Sequence, residues 1–182
     1  MKYHLLITDC ESTGLSPEHE DELCQLACMP VETTDFRKFK EIGDPVAWYV
    51  KPECKIKHML FSPELEAEIF SSKDTPVNVA DSFVSYLDGL KKKHHFDKLI
   101  FAGWNCQFDW RFLQQWPYDR CIKYFDYHLF DAYVLSQRFL MCKKLDEAAK
   151  YFNISRKSKF HDSIEDILLT LTILQKMSAY DL

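Results

Sequence analysis

Near its beginning the sequence reads Tyr3-His4-Leu5-Leu6-Ile7-Thr8-Asp9-Cys10-Glu11-Ser12-Thr13-Gly14, an apolar run that passes directly into acidic residues and a glycine. Residues 3–8 predict a buried strand that ends at Asp9. Asp9 and Glu11 are two positions apart, so an extended chain projects both carboxylates from one face, where they can converge on a cation. An isolated Asp-x-Glu is also common at strand ends and in turns, so its meaning depends on the other acids of the chain.

Hydrophobic patterns predict further strands and helices. The strands are expected over residues 22–31, 48–50 and 98–102, and the helices over 77–92, 108–116, 130–140 and 145–152. A last helix follows Asp162, which together with Glu165 resembles a capping box, and its apolar face extends to Leu174. Strands come first and helices follow, which predicts an α/β protein with a mixed sheet covered by helices.

The composition limits the class of protein. The chain has 182 residues, 47% of them hydrophobic and 28% charged, with four glycines, which excludes collagen-like, low-complexity and disordered chains and predicts one domain over residues 1–182. A formal net charge of −5 argues against a broad surface that coats nucleic acid nonspecifically. Seven cysteines, no signal-like start and no long apolar segment predict reduced thiols, a cytoplasmic location and no membrane contact.

Two further junctions between predicted elements carry acids. Asp109 closes the run Asn105-Cys106-Gln107-Phe108-Asp109, which follows a predicted strand, and Asp166 comes five residues after His161. Either acid alone is typical of a helix N-terminus, where it interacts with the helix dipole, and His161 alone is typical of a structural or surface histidine. Together with Asp9 and Glu11, however, three junctions present carboxylates, and the last adds a titratable base.

These motifs resemble those of a known family. Residues 9–15, 105–109 and 161–166 resemble, in order and spacing, the three motifs of the DnaQ-like DEDDh 3′→5′ exonucleases of the ribonuclease H-like superfamily. The resemblance spans almost the whole chain and implies an α/β, ribonuclease H-like fold with a mixed central β-sheet flanked by α-helices. The sequence departs from the family at Trp104, where many members have His, and at residues 58–62, where many have a His-Gly-Ile-Thr-like stretch.

The resemblance also implies a reaction. Four carboxylates would hold two divalent cations, Mg²⁺ or Mn²⁺, and they belong to Asp9, Glu11, Asp109 and Asp166. His161 would take the proton from the attacking water. The products would be nucleoside 5′-monophosphates released from the 3′ end.

The substrate contacts implied by the resemblance lie near these acids. The turn Ser12-Thr13-Gly14-Leu15 would contact the last nucleotide, with Asn105 beside it, and Asp131 would support the site without being a ligand. Phe108 would pack near the terminal base, although it suits a hydrophobic core equally well. The basic residues 156–159, with Lys159, would hold the phosphate backbone; a solvated loop is the alternative.

The leading hypothesis is therefore a metal-dependent exonuclease on single-stranded ends, with DNA favoured over RNA. An exoribonuclease acting on RNA 3′ ends or short oligoribonucleotides is the alternative, followed by a nuclease-like binding module without activity. An endonuclease of the RNase H type is disfavoured by the spacing of His161 and Asp166. The expected partners are DNA or RNA 3′ ends, together with a polymerase, another nucleic-acid-processing protein or a second copy of the chain.

Overall fold

A computed structural model describes residues 2–54, 56, 61–157 and 160–179. These residues form a mixed sheet of six strands, which are β1 (Tyr3–Ser12), β2 (Leu23–Thr33), β3 (Lys40–Glu41), β4 (Val46–Tyr49), β5 (Leu99–Gly103) and β6 (Phe125–Asp131). The strand order is β3-β2-β1-β5-β6, with β4 pairing the outer side of β2. The predicted mixed central sheet is confirmed.

The first strand is central to the sheet. β1 pairs antiparallel with β2 along its whole length and parallel with β5 through Leu5, Leu6 and Ile7. This pairing carries β1 on to Ser12, so the prediction that the strand ends at Asp9 is wrong: β2 supplies partners for three more residues. The carboxylates of Asp9 and Glu11 therefore project from a rigid strand and not from a loop.

Helices cover both faces of the sheet. They are α1 (Pro63–Ser71), α2 (Pro76–His94), α3 (Gln107–Leu113), α4 (Ala132–Leu140), α5 (Leu145–Tyr151) and α6 (Ser163–Met177). Short 3₁₀ segments occupy Pro17–His19 and Tyr118–Tyr124. As predicted, Asp162 caps α6, because its carboxylate accepts the Ile164 N–H at 2.9 Å.

Two hydrophobic layers result from the alternation of side chains along β1. Leu6 and Cys10 point into a cluster with α2, which includes Phe83 and Leu87. Leu5 and Ile7 point the other way, into a cluster with α5 and α6. Since side chains repeat every second residue in a strand, Asp9 and Glu11 continue the row of Leu5 and Ile7 and lie on the face covered by α6.

Some elements differ from the sequence prediction. The expected helix 108–116 ends at Leu113, and the helix expected over 130–140 begins at Ala132 because residues 125–131 form β6. β6 is an edge strand with little buried surface, so its sequence lacks a clear apolar alternation. α1 was not predicted either; only Leu65 and Ile69 of this helix are buried, too few for a periodic signal.

Two further findings concern the predicted environment. Within the described ranges, no helix has both the length and the apolar character needed to cross a lipid bilayer. All seven cysteines are free thiols, and six of them are buried.

Candidate active site

The carboxyl-terminal half of β1 forms the floor of an open cleft of about 770 Å³. Asp9 and Glu11 line this cleft, and both are partly buried. The neighbouring strand β5 ends at Gly103, where a Cβ atom would come within 2.6 Å of the Thr8 carbonyl oxygen. The absence of a side chain at Gly103 therefore allows the next segment of the chain, which carries Asp109, to approach the end of β1.

Asp109 lies on α3, and its side chain reaches the cleft. Its side chain is buried, and its Oδ1 accepts the backbone N–H of Cys10 at 2.9 Å. Cys10 lies between Asp9 and Glu11, so this hydrogen bond ties the second motif directly to the first. Residues 99 positions apart in sequence thus become neighbours.

Asp166 comes from α6, on the face of the sheet that carries Asp9 and Glu11. The start of α6 is anchored by Gln25 of β2, whose Oε1 accepts the Ser163 N–H at 3.0 Å within the buried interior. Gln25 is the cross-strand partner of Glu11. One strand pair therefore positions both Glu11 and the helix that carries Asp166.

His161 precedes α6 and lies at the rim of the cleft. Its side chain is half exposed, and Nδ1 is 3.6 Å from Oδ2 of Asp166. Its backbone forms a parallel bridge with Phe61, which fixes the segment before the helix. Burial, and secondly the positive charge of Arg156, lower the pKa of His161 below its usual 6.5. The imidazole is therefore neutral at pH 7 and able to accept a proton.

The pKa values of the acids reflect a crowded negative cluster. Burial raises the pKa of Asp9 to about 7, with the Arg156 guanidinium acting in the opposite direction. Burial and then the charge of Asp9 raise the pKa of both Glu11 and Asp109. Buried carboxylates of this kind are stable as anions only if positive charge is supplied. The cluster is therefore suited to cations.

The donor set fits a hard divalent cation. Ligand atoms of Glu11, His161 and Asp166 lie within 4.8 Å of one another, and Asp9 and Asp109 line the same cleft. Carboxylate oxygens are the ligands that Mg²⁺ and Mn²⁺ prefer. The structure thus brings together all five residues predicted to carry the chemistry.

Arg156 supplies positive charge to this acidic cluster, whereas the sequence predicted that it holds the phosphate backbone of the substrate. Its guanidinium forms ion pairs with Asp166 and, through Nη1 at 2.8 Å, with Asp146, and its Nε lies 3.7 Å from Glu165. The side chain is 13% exposed. Arg156 lines the cleft, but its guanidinium is already paired with these acids, so its charge stabilises the site. Ser158 and Lys159, predicted with it, lie outside the described residues.

The turn after β1 is held by its own hydrogen bonds. Ser12 Oγ donates to the Gly14 carbonyl at 2.7 Å, and Thr13 Oγ1 accepts the Glu22 N–H at 2.8 Å. A Cβ atom on Gly14 would come within 2.4 Å of the Asp21 carboxylate, so the turn requires glycine there. The predicted substrate contact of Thr13 is wrong, because this residue is buried and its hydroxyl stabilises the turn. Ser12, Gly14 and Leu15, in contrast, line the cleft.

Asn105 and Phe108 both reach the cleft. Asn105 has a φ of 55°, a left-handed conformation that asparagine tolerates better than most residues. Phe108 is half-buried: it packs edge-to-face on Phe112 at 5.2 Å and also lines the cleft. The two alternatives for Phe108, core residue or base contact, are therefore compatible. Asp131 supports the segment, since its Oδ1 accepts the Asn105 N–H at 2.9 Å.

Several residues at the site were not singled out as functional from the sequence. They are Gln25, Tyr133, Lys143, Lys144 and Asp146. Each belongs to an element that reaches the site only through tertiary packing, so no local motif marks it. The departure at Trp104 was visible in the sequence, but its position beside Tyr133 was not. The sequence also departs from the family at residues 58–62, of which residues 58–60 lie outside the described residues.

Comparison with known proteins places this geometry in a family. The family model for the RNase_T exonuclease domain matches residues 6–174. No curated protein sequence matches the chain. The nuclease domain of 3′hExo, a DEDDh family member solved with rAMP, has a TM-score of 0.66 at 16% identity, with 98% of this chain and 92% of that chain covered.

Two other solved structures share the fold. Escherichia coli exonuclease I, solved with a dT13 oligonucleotide, has a TM-score of 0.62 at 16% identity; the whole of this chain aligns, but it spans 41% of that enzyme's chain. The cell-death related nuclease CRN-4 has a TM-score of 0.62 at 20% identity, with 98% of this chain and 64% of that chain covered. The predicted ribonuclease H-like fold is confirmed.

The fold and the family model together define an exonuclease-type domain of the ribonuclease H-like fold. The chain belongs to the exonuclease family that this model describes, and its three motifs resemble those of the DnaQ-like DEDDh 3′→5′ exonucleases.

Proposed function

We propose that the chain removes nucleoside 5′-monophosphates, one at a time, from the 3′ ends of single-stranded nucleic acid. The observation that carries this proposal is the convergence, in one open cleft, of carboxylates from β1, α3 and α6 with a neutral histidine. An open cleft admits a polymer end, and acids supplied by three separate elements are held rigidly enough to bind cations in a fixed geometry.

Two divalent cations, Mg²⁺ or Mn²⁺, are the proposed cofactors. Asp9, Glu11, Asp109 and Asp166 would hold them, since four carboxylates balance two dications. Burial raises the pKa values of Asp9, Glu11 and Asp109, and the charge of Asp9 raises those of the other two further, so bound cations would stabilise all three as anions. When bound, such ions stabilise the negative charge that develops on the phosphate oxygens during hydrolysis. Asp109 also keeps one oxygen on the Cys10 amide, which orients its carboxylate.

His161 is the proposed general base. Its lowered pKa leaves the imidazole unprotonated at neutral pH, and its half-exposed position gives water access to the ring. Asp166 lies close enough to stabilise the imidazolium once the proton has been taken from the attacking water. The proton then leaves to solvent as the ring resets.

The terminal nucleotide would lie between the turn after β1 and α3. Leu15 is 64% exposed beside the catalytic acids, and Phe108 offers a partly exposed ring in the same cleft. Apolar and aromatic surfaces hold any base without reading its identity. The exposure of an apolar side chain at Leu15, beside the catalytic acids, supports a substrate contact at this position.

Single-stranded DNA is the proposed substrate, with RNA as the alternative. Escherichia coli exonuclease I, which was solved with a DNA oligonucleotide, covers the whole of this chain in the comparison, while 3′hExo was solved with a ribonucleotide. The first motif resembles those of proofreading enzymes, which favours DNA. Free thiols at all seven cysteines support the proposed cytoplasmic location.

The proposal is tested with 5′-labelled single-stranded DNA and RNA of the same sequence, incubated with Mg²⁺ or with EDTA. A ladder that shortens from the 3′ end in Mg²⁺ and stops in EDTA is expected, with DNA degraded faster than RNA. A circular single strand should remain intact, because it offers no end.

The matched variants are Asp109→Asn, which removes the charge but keeps the shape, and Asp97→Asn, whose carboxylate is 96% exposed and remote from the cleft. Only the first should abolish cleavage. Faster loss of RNA would transfer the assignment to an exoribonuclease, and binding without cleavage in Mg²⁺ or Mn²⁺ would indicate a nuclease-like binding module.

A further inference from the structure

The cleft continues beyond the catalytic acids to side chains that the reaction does not use. Trp104, Tyr133, Lys143 and Lys144 line it together with the acids. The rings of Trp104 and Tyr133 meet edge-to-face, with centroids 6.2 Å apart and an interplanar angle of 72°. Both residues are partly buried, so each ring is fixed by packing while part of its surface faces the cleft.

Asp131 holds the two aromatic residues together. Its Oδ1 accepts two backbone N–H groups at 2.9 Å each, one from Asn105, which follows Trp104, and one from Tyr133 itself. One carboxylate oxygen therefore fixes the loop after β5 to the first turn of α4. The aromatic pair is thus preorganised and would lose little entropy when a ligand binds.

The two lysines add positive charge next to this pair. Lys143 and Lys144 are exposed, and the Glu147 carboxylate accepts both of their backbone N–H groups, at 2.8 and 3.2 Å. The adjacent Asp146 is paired with Arg156. Asp146 is therefore paired, whereas Glu147 keeps its negative charge beside the two lysines. The two ammonium groups outnumber this one carboxylate and can attract an anion to this part of an otherwise acidic cleft.

We infer that Trp104, Tyr133, Lys143 and Lys144 form a track for the nucleotides upstream of the scissile bond. The inference rests on the proposed function, which assigns the terminal nucleotide to Leu15 and Phe108 and leaves the rest of the strand to pass along the remaining cleft. Flat rings stack on bases and ammonium groups pair with phosphates, which is the combination that binds single strands without sequence preference.

The track predicts that affinity depends on the length of the strand. The test measures binding of fluorescein-labelled dinucleotide and hexanucleotide by fluorescence anisotropy in EDTA, which separates binding from cleavage. Trp104→Ala should weaken hexanucleotide binding by about 5- to 150-fold, the range measured for loss of one stacked base. The dinucleotide should lose less, and Trp104→Phe should restore most of the affinity.

The lysines are tested by the dependence of binding on salt. Each phosphate contact contributes about 0.7 to the slope of log affinity against log salt for a single strand, so the double variant Lys143→Gln/Lys144→Gln should reduce the slope by about 1.4. The matched controls are Lys92→Gln/Lys93→Gln on the exposed side of α2 and Tyr127→Ala, an aromatic residue 85% exposed on β6. Neither control should change the affinity.

The track is refuted if wild type binds both lengths equally, if it fails to bind the hexanucleotide, or if Trp104→Ala binds it as wild type does. Equal losses for Trp104→Ala and Trp104→Phe would also overturn it, because they indicate a structural defect. If the track variants behave as expected in EDTA but wild type cleaves nothing in Mg²⁺ or Mn²⁺, the proposed function fails and the track stands.

Discussion

Replacing Asp9 with Asn should stabilise the metal-free protein at alkaline pH while abolishing its activity. Burial raises the pKa of Asp9 from its ordinary 3.8 to about 7. The folded state therefore holds this proton more tightly than the unfolded state, and the free energy of unfolding falls as the pH rises from about 4 to about 7. Asparagine keeps the shape and removes the charge.

The size of the effect follows from the shift. The pKa of Asp9 rises by about three units, and at about 1.36 kcal/mol per unit this sets an upper bound of about 4 kcal/mol on the stabilisation by Asp9→Asn. Because Asp9 is still partly exposed in the cleft, we expect about half of this, about 2 kcal/mol, at pH 8. For a chain of this length that gain corresponds to a rise in Tm of about 4–8 °C.

The assay is thermal unfolding in EDTA at pH 5 and pH 8, with wild type, Asp9→Asn and the exposed control Asp97→Asn. Wild-type Asp9 is already largely protonated at pH 5, so the gain should be small there and appear in full at pH 8. Asp97→Asn should change Tm only slightly, and by the same amount at pH 5 and at pH 8. If Asp9→Asn gives no rise in Tm at pH 8, or the same rise at pH 5, the charge of the Asp9 carboxylate does not destabilise the folded protein and the reasoning is wrong.

Three other substitutions test the rest of the site. His161→Gln should lower turnover by about 10²–10⁴-fold with unchanged Mg²⁺ affinity by calorimetry, and an unaltered turnover would remove this base from the mechanism. Because burial lowers the pKa of His161, wild-type activity should fall only at a pH more acidic than the one that protonates a free imidazole. Gln25→Ala should cost about 1–3 kcal/mol in urea unfolding, because the buried Ser163 N–H loses its acceptor, and a neutral result would mean that another group replaces it. Gly103→Ala should cost about 1–3 kcal/mol, because its Cβ would meet the Thr8 carbonyl, and wild-type stability would show that β5 can shift without penalty.

The residues of the site that could be predicted from the sequence are those whose side-chain type does not fit the surrounding hydrophobic pattern. Asp9 and Glu11 stand out because a buried strand does not normally continue into carboxylates. Asp109 and His161 were recognised through the spacing of their motifs. The long helix α2 could be predicted as well, because its apolar residues recur at a helical period.

The parts that could not be predicted depend on pairing between distant segments. Gln25 supports α6 only because β2 runs beside β1, and β6 is a strand only because β5 provides its partner. Arg156 looked like a phosphate ligand from its position in a basic run, but its acidic neighbours come from α5 and α6. In each case the decisive neighbour is distant in sequence, and no local pattern reports it.

The hydrogen bond between Asp109 and the Cys10 amide limits what can replace this aspartate. One oxygen is fixed to a strand whose own position is set by pairing on both sides, so the second oxygen can point in a single direction only. A glutamate, longer by one methylene, could keep the amide contact or reach the same point in the cleft, but not both. Side-chain length at position 109 is therefore as tightly constrained as charge.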